Sequence, residues 1–303
     1  MADPAAAPDP ARRLDPTALQ RQLTRVVREG AAAPAWLLGE IGRRMDERLG
    51  WIRREPADAL VWWPELGGGE ALLRQRYPAA RLQTQAAPGA GPRAGSPWWK
   101  KAWGRARDSA PFDPAAPGTV GLVWANMMLH WAPDLPALLA TWQRTLQVDG
   151  FLMFSCFGPD TARALQPLHD ALGWGPAAAP FVDMHDLGDL LVQGGFADPV
   201  MDMEFITLSW PDLPAMLAEL RGLGGNVAVD RAAALRTPRA QARWQAEAEQ
   251  RLRGPDGRLQ LRFEIVYGHA FKPAPRAKVQ AETTVSLDAM RTMVRQGRAG
   301  NPD

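Results

Sequence analysis

Cysteine is all but missing from this 303-residue chain. Cys156 stands alone, which excludes an intramolecular disulfide and any cysteine-built metal centre. No apolar run approaches the ~20 residues that a membrane-spanning helix requires, so no membrane role is expected. The opening MADPAAAPDPARR has no apolar core of the secretory type, and the resulting expectation is a cytoplasmic protein. Charge of either sign is not in excess: 35 Lys and Arg face 33 Asp and Glu, a net charge of +2. That balance gives no reason to expect nucleic acid as a partner. Only four histidines are present, and His130, His185, Asp183 and Asp160 lack metal-ligand spacing, so no metal is expected. No GxSxG elbow accompanies the glycines. Tyrosine occurs twice and tryptophan thirteen times, a bias with no evident physical cause.

What is present is concentrated in Gly121–Thr161. Leu122, Val123 and Trp124 form an apolar run, directly followed by Asn126 and His130. From Asp134 to Leu146, apolar residues recur at helical spacing: Leu135, Leu138, Leu139, Trp142 and Leu146. Asp149-Gly150 reads as a tight turn, and Phe151–Phe157 as a buried strand. This is one unit of an open α/β sheet, in which ligands sit outside the carboxyl ends of the strands. Asn126, His130 and Phe157–Asp160 are therefore expected on a binding rim.

Other segments fit the same plan. Residues 17–28 predict a short helix, and 36–52 a helix with a stripe of Leu37, Ile41, Met45 and Leu49. Strands are predicted at 59–63, 81–85, 200–208 and 259–271, and helices at 70–76, 184–193, 213–223 and 238–253. Residues 1–16 are expected to be a disordered tail, 17–272 the folded domain with a helical insertion at about 211–257, and 273–303 a polar tail.

The stretches GLVWANMMLHW, FGPDT, MHD and EIGRRMDERLGWIRREP resemble the class I S-adenosylmethionine-dependent methyltransferases. More narrowly, they resemble the malonyl-acyl-carrier-protein O-methyltransferases of biotin synthesis, over roughly residues 36–272. The resemblance implies a Rossmann-like α/β sheet, mostly parallel with an antiparallel final strand and helices on both faces. It implies S-adenosylmethionine as cofactor and a carrier-bound malonyl carboxylate as methyl acceptor. Gly67, Gly68 and Gly69 match the family's glycine-rich turn, with Glu65 beside them. His130 and Asn126 match residues that orient the substrate, while Trp131, Asp160, Asp183 and His185 match the substrate side.

The chain departs from that pattern at the cofactor. The family's acid at the end of the first strand is replaced by Trp62-Trp63, and the acid ending the second by Gln85. Ala106-Arg107 stand where the family has an acid-Ala pair, Gly121 where its fourth strand opens on an acid, and Ala31-Ala32 where it has Tyr-Asp. Each lost charge-assisted hydrogen bond costs ~1.5–3 kcal/mol, so weakened cofactor binding and weakened or lost methyl transfer are expected. The alternative is a non-catalytic, methyltransferase-like binding or regulatory protein, a pseudoenzyme.

Several residues have a purely structural reading beside the functional one. Asp183 followed by Asp186 is also a helix N-cap pattern, which leaves His185 in a first turn. Asn126 serves equally well to fix its own loop. Four cations lie in Pro97–Arg107, interleaved with tryptophans and free of acids. Trp98, Lys100, Lys101, Trp103 and Arg105 there suit an acidic acyl carrier protein; single-stranded nucleic acid or a folded-back loop are the other readings.

Overall fold

The computed structural model describes residues 14–29, 35–88, 110–111, 117–232, 236–275 and 290. The chain divides into two compact units, 1–273 and 274–303. The first carries all the elements below.

Two helices lead, α1 (Pro16–Glu29) and α2 (Ala35–Leu49). Then come β1 (Asp58–Trp62), the single turn α3 (Pro64–Gly67), α4 (Glu70–Arg76), β2 (Arg81–Gln85) and the short β3 (Ala110–Pro111). The central unit is β4 (Val120–Ala125), α5 (Leu135–Thr145) and β5 (Leu146–Phe157). After α6 (Gln166–Asp170) and α7 (Met184–Gln193), the chain forms β6 (Ala197–Trp210), α8 (Leu213–Gly222), α9 (Pro238–Arg251) and β7 (Leu259–Phe271).

Seven strands form one sheet in the order β3-β2-β1-β4-β5-β7-β6. The first five run parallel, while β7 lies antiparallel between β5 and β6. Core clusters cover both faces, as the near-continuous apolar sequence of β4 requires of a central parallel strand. All six residues of β4 are buried. One face packs on the stripe of α2, whose Leu37, Ile41, Met45 and Leu49 are at most 1% exposed. The other face packs on α5 through Leu135, Leu139 and Trp142. Asp134 caps α5 by accepting the Ala137 N–H at 2.8 Å.

One expected turn is different. Asp149-Gly150 does not separate helix from strand; it kinks β5, which already begins at Leu146. Asp149 takes φ 62°, and a side chain at Gly150 would stand 2.9 Å from the Gln147 carbonyl. Local turn chemistry is retained, but pairing of Leu146 with Val120 extends the strand past it.

An ion cluster ties α2 to β6. Arg44 pairs with Glu40 and Glu204, and Arg48 reaches Asp202 at 2.5 Å. Arg48 also lies over the buried Tyr267 ring, 3.8 Å from its centroid. Hydrogen bonds from Arg43, then Arg44, hold the Glu40 carboxyl down at about 2. A depressed acid stabilises the fold above its unfolded value and loses that contribution as pH falls towards 2. Glu40→Gln is therefore expected to cost ~0.5–1 kcal/mol at pH 7 after solvent screening. The difference from the parent in urea midpoint should shrink between pH 5 and pH 2.5; a constant difference would contradict the assignment.

Candidate functional site

At the carboxyl end of β1 the backbone turns sharply. Trp63 adopts φ 51°, uncommon for a bulky residue, and its N–H still donates to the Gln85 carbonyl at 2.7 Å. Trp62 is buried edge-on against Trp142, with ring centroids 5.8 Å apart. Pro64 then opens α3. The three glycines are not equivalent. A Cβ on Gly67 would lie 1.9 Å from the Asn126 carbonyl oxygen, and one on Gly69 would lie 2.1 Å from Trp124 Nε1. Gly68, at φ 63°, has nothing within 4 Å. Two glycines are thus required by what packs behind them, and the third by its backbone conformation.

Asn126, expected on the rim as a substrate-orienting group, is 1% exposed and fully engaged by the protein. Its Nδ2 donates to the Leu38 carbonyl at 3.0 Å and to the Gly67 carbonyl at 2.6 Å. Its Oδ1 accepts from Ser155 Oγ at 2.8 Å, and that hydroxyl in turn accepts the Met127 N–H. The side chain holds its surroundings together and presents no free group to a ligand.

At the exits of β1 and β2, Glu65 accepts the Ala87 N–H at 3.1 Å. It places a carboxylate close to the end of β2, supplied by the single turn α3. Gln85, at the end of β2, donates to the Ala86 carbonyl at 3.2 Å. Gly121, where an acid would match the family, is tightly packed: a Cβ there would meet Pro56 Cβ at 3.0 Å, so a side chain needs Pro56 to shift. Ala106-Arg107, Ala31-Ala32 and Trp98, Lys100, Lys101, Trp103 and Arg105 lie outside the described residues.

Beyond β4 and β5 lies a cavity of about 220 Å³. His130 and Trp131 form one wall, from the 3-10 turn Leu129–Trp131. Phe157, Phe181 and Phe263 form another, and the end of α8 with Gly224 and Asn226 borders it, leaving a partly open cleft. The His130 ring lies 4.7 Å from that of Phe157 and 6.0 Å from that of Phe181. Trp131 packs against Gly224, where a Cβ would come within 2.5 Å of the indole. Towards the glycine turn a second gap, between Val26, Leu38, Leu66 and Met127, measures only about 10 Å³. That is at or below the size needed for one water.

The structure thus brings His130 and Trp131 to the cavity and leaves the other substrate-side residues outside its lining. Asp183 caps α7, accepting the His185 N–H and contacting His185 Nδ1, both at 2.8 Å. That backbone bond, with a smaller contribution from the imidazole, holds the Asp183 carboxyl below its ordinary value. The His185 side chain is 79% exposed. Asp160 pairs with Arg163 at 2.8 Å.

Sequence reasoning missed Glu264, a carboxylate only 4% exposed. It accepts the Asp160 N–H at 2.7 Å, and Gly158 rests directly on it. Thr161 Oγ1 donates to the Glu264 carbonyl at 2.9 Å. Phe157–Thr161 is thereby pinned to β7. The absence of a side chain at Gly158 was the available sign, but its partner is a hundred residues away in sequence.

The sheet order, the single inserted antiparallel strand and a site at the strand ends define a class I S-adenosylmethionine-dependent methyltransferase fold. A provisionally assigned methyltransferase of Bacillus halodurans shares it, with a TM-score of 0.50 and 11% identity over 77% of this chain and 99% of that one. No family model matches the chain. Among curated proteins, the malonyl-acyl-carrier-protein O-methyltransferase of Gallionella capsiferriformans is 38% identical over 279 residues, 87% of this chain and 93% of that protein. That of Laribacter hongkongensis is 37% identical over 255 residues, covering 80% and 85%. The chain belongs to the malonyl-acyl-carrier-protein O-methyltransferase family.

Asn126→Ala leaves two carbonyls and one hydroxyl without their partner. Urea unfolding should show a loss of about 3 kcal/mol, and Ser155→Ala, which removes one bond from the same group, a smaller loss. Equal stability of Asn126→Ala and the parent would contradict the clamp.

Proposed function

We propose that this chain recognises an acyl group presented by an acyl carrier protein, and that its transfer of methyl groups is weakened or lost. Recognition is drawn from the relatives, whose names state action on a malonyl-acyl carrier protein. The weakening rests on one observation: between the glycine turn and the His130 cavity, the gap lined by Leu66, Leu38, Val26 and Met127 measures only about 10 Å³. Methyl transfer needs donor and acceptor atoms about 3–3.5 Å apart, so a cofactor over the glycines and an acyl group in the cavity require a passage there. The residues at the strand ends do not fit S-adenosylmethionine either. Trp62 fills space beside β1, Gln85 replaces a carboxylate, and Gly67 and Gly69 are backed by Asn126 and Trp124.

A second reading has one observation in its favour. Glu65 sets a carboxylate near the end of β2, within reach of the Ala87 N–H. In that reading it takes over the ribose contact, and S-adenosylmethionine-dependent methyl transfer is retained. In biotin synthesis the acceptor would be the malonyl carboxylate, positioned beside His130.

Calorimetric titration with S-adenosylmethionine separates the two. Loss of two charge-assisted bonds weakens binding by at least about two orders of magnitude, so no low-micromolar affinity is expected. Gln85→Asp combined with Leu66→Ala should raise affinity at least tenfold. A low-micromolar dissociation constant in the parent, lost in Glu65→Gln, would establish the second reading.

The carrier protein is expected to dock on the basic segment 97–107, whose charge complements an acidic partner. Lys100→Glu, Lys101→Glu and Arg105→Glu together should abolish carrier-protein capture, and added salt should weaken it. Capture indifferent to both would place the dock elsewhere.

A further inference from the structure

Helix α1 carries arginine on one side. Arg21, Arg25 and Arg28 are spaced i, i+4 and i+7, so they share a face. The opposite face, with Ala18, Leu19, Leu23 and Val26, is buried in the core. Arg21 and Arg28 are exposed, and Arg25 is half-buried. Before its last residue, Glu29, α1 holds no acid. Asp15, just ahead of it, is taken up by Arg231 at 2.7 Å and by the Thr17 and Ala18 N–H groups. The arginine face borders the cleft beyond β4 and β5. Arg25 donates to the Arg221 carbonyl at 2.6 Å, at the end of α8. Gln22 rests on Gly225, where a Cβ would come within 2.4 Å of its amide. In that same stretch Leu220, Leu223, Gly224 and Gly225 line the cleft. The Arg221 residue is exposed, while Glu219, on the other side of α8, accepts the Trp210 Nε1–H. Four arginines thus stand beside the entrance, and Asp15 and Glu219 are engaged elsewhere.

We infer that the outer face of α1, together with Arg221, seats the body of an acidic acyl carrier protein while its acyl arm enters the cleft past Gly224 and Gly225. The inference rests on the acyl-carrier reading above and adds to it a contact separate from segment 97–107. Charge complementarity selects the partner surface: a row of carboxylates, such as one side of an acidic helix, matches arginines spaced along α1. Arginine suits that task, because its planar guanidinium donates to a carboxylate through two parallel bonds. Arg21 and Arg28 stand about 10 Å apart along the axis, so they meet two successive turns of a partner helix. Position supplies the second argument. An arm leaving a carrier seated there reaches the cleft directly, because Gln22 and Arg25 already touch the loop that borders it. A basic helix can also lie on an anionic lipid surface, but it does so by inserting its apolar face. The apolar face of α1 is committed to the core, which favours a protein surface as the occupant.

The test measures binding of the full chain to immobilised holo acyl carrier protein by surface plasmon resonance, at low and at moderate salt. Arg21→Glu, Arg28→Glu and Arg221→Glu together should raise the dissociation constant at least about tenfold, mainly through slower association, with a shallower salt dependence than the parent. Apo carrier protein, which lacks the arm, should lose affinity by a similar factor, because the contact is with the carrier's body. Arg53→Glu, Arg74→Glu and Arg243→Glu make the same change in net charge at exposed positions elsewhere. That control should stay within about twofold of the parent. Thermal unfolding checks that each variant folds. Should the triple reversal fail to fold, Arg21→Gln with Arg28→Gln carries the same test, with a loss of about threefold expected. Parent affinity in a folded α1 variant would overturn the inference and leave the acyl-carrier reading standing. An equal loss in the control would overturn it as well, since net charge alone would then suffice. A parent that binds no carrier would overturn both. Binding to phosphatidylglycerol vesicles that the α1 variant loses, with carrier binding kept, would assign the face to lipid instead.

Discussion

The carboxyl end of the sheet depends on one buried amide. Asn126 bonds at once to the glycine turn, to α2 and to β5. Its polar capacity is used within the protein, in a place where an unpaired polar group is costly. The glycine turn therefore has a fixed position relative to β4, and Gly67 must lack a side chain because Asn126 lies against it. With Trp124 behind Gly69 and Trp62 against Trp142, the turn is supported from below by solid packing. The backbone of all three glycines stays partly exposed above that packing.

A second buried polar group organises the other half of the site. Glu264 on β7 holds the turn after β5 through the Asp160 N–H, while Thr161 bonds to its backbone. Ala162 adds a bond to the Arg262 carbonyl at 2.8 Å. These contacts make the end of β5 a rigid wall and set Phe157 against His130. The opposite wall is equally constrained, because Trp131 occupies the space above Gly224. The cavity is thus bounded by rings whose positions are set by backbone bonds and close packing.

The two halves are joined by apolar side chains. Val26 from α1, Leu38 from α2, Leu66 from α3 and Met127 after β4 converge between glycine turn and cavity. Each belongs to a helix or loop that packs for its own reasons, and together they line a gap of only about 10 Å³. Family membership and the state of this passage are therefore separate matters. The first is a property of the whole chain; the second depends on four side chains and on the tryptophans beside them.

Much of the fold was legible in the sequence. The stripe of α2, the cap and stripe of α5, and the apolar run of β4 each encode a local period that burial then uses. Departures from the family pattern at Trp62, Gln85 and Gly121 were likewise plain as letters. The roles of polar residues were not. Asn126 and Asp183 each fitted a ligand-binding role or a structural one, and the sequence has no means of choosing between them. Tertiary structure places Asn126 among three protein partners and Asp183 at a helix end. It also reveals Glu264, since a carboxylate in a strand carries no local mark of burial. Periodicity is a property of neighbours along the chain, so the sequence by itself determined the long helices and strands, and its resemblance to a family the sheet class; the short α3, α6 and β3 carry no such period. Satisfaction of a buried polar group depends on residues far apart in sequence, so only the tertiary structure decided which polar side chains hold the protein together and which walls the cavity has.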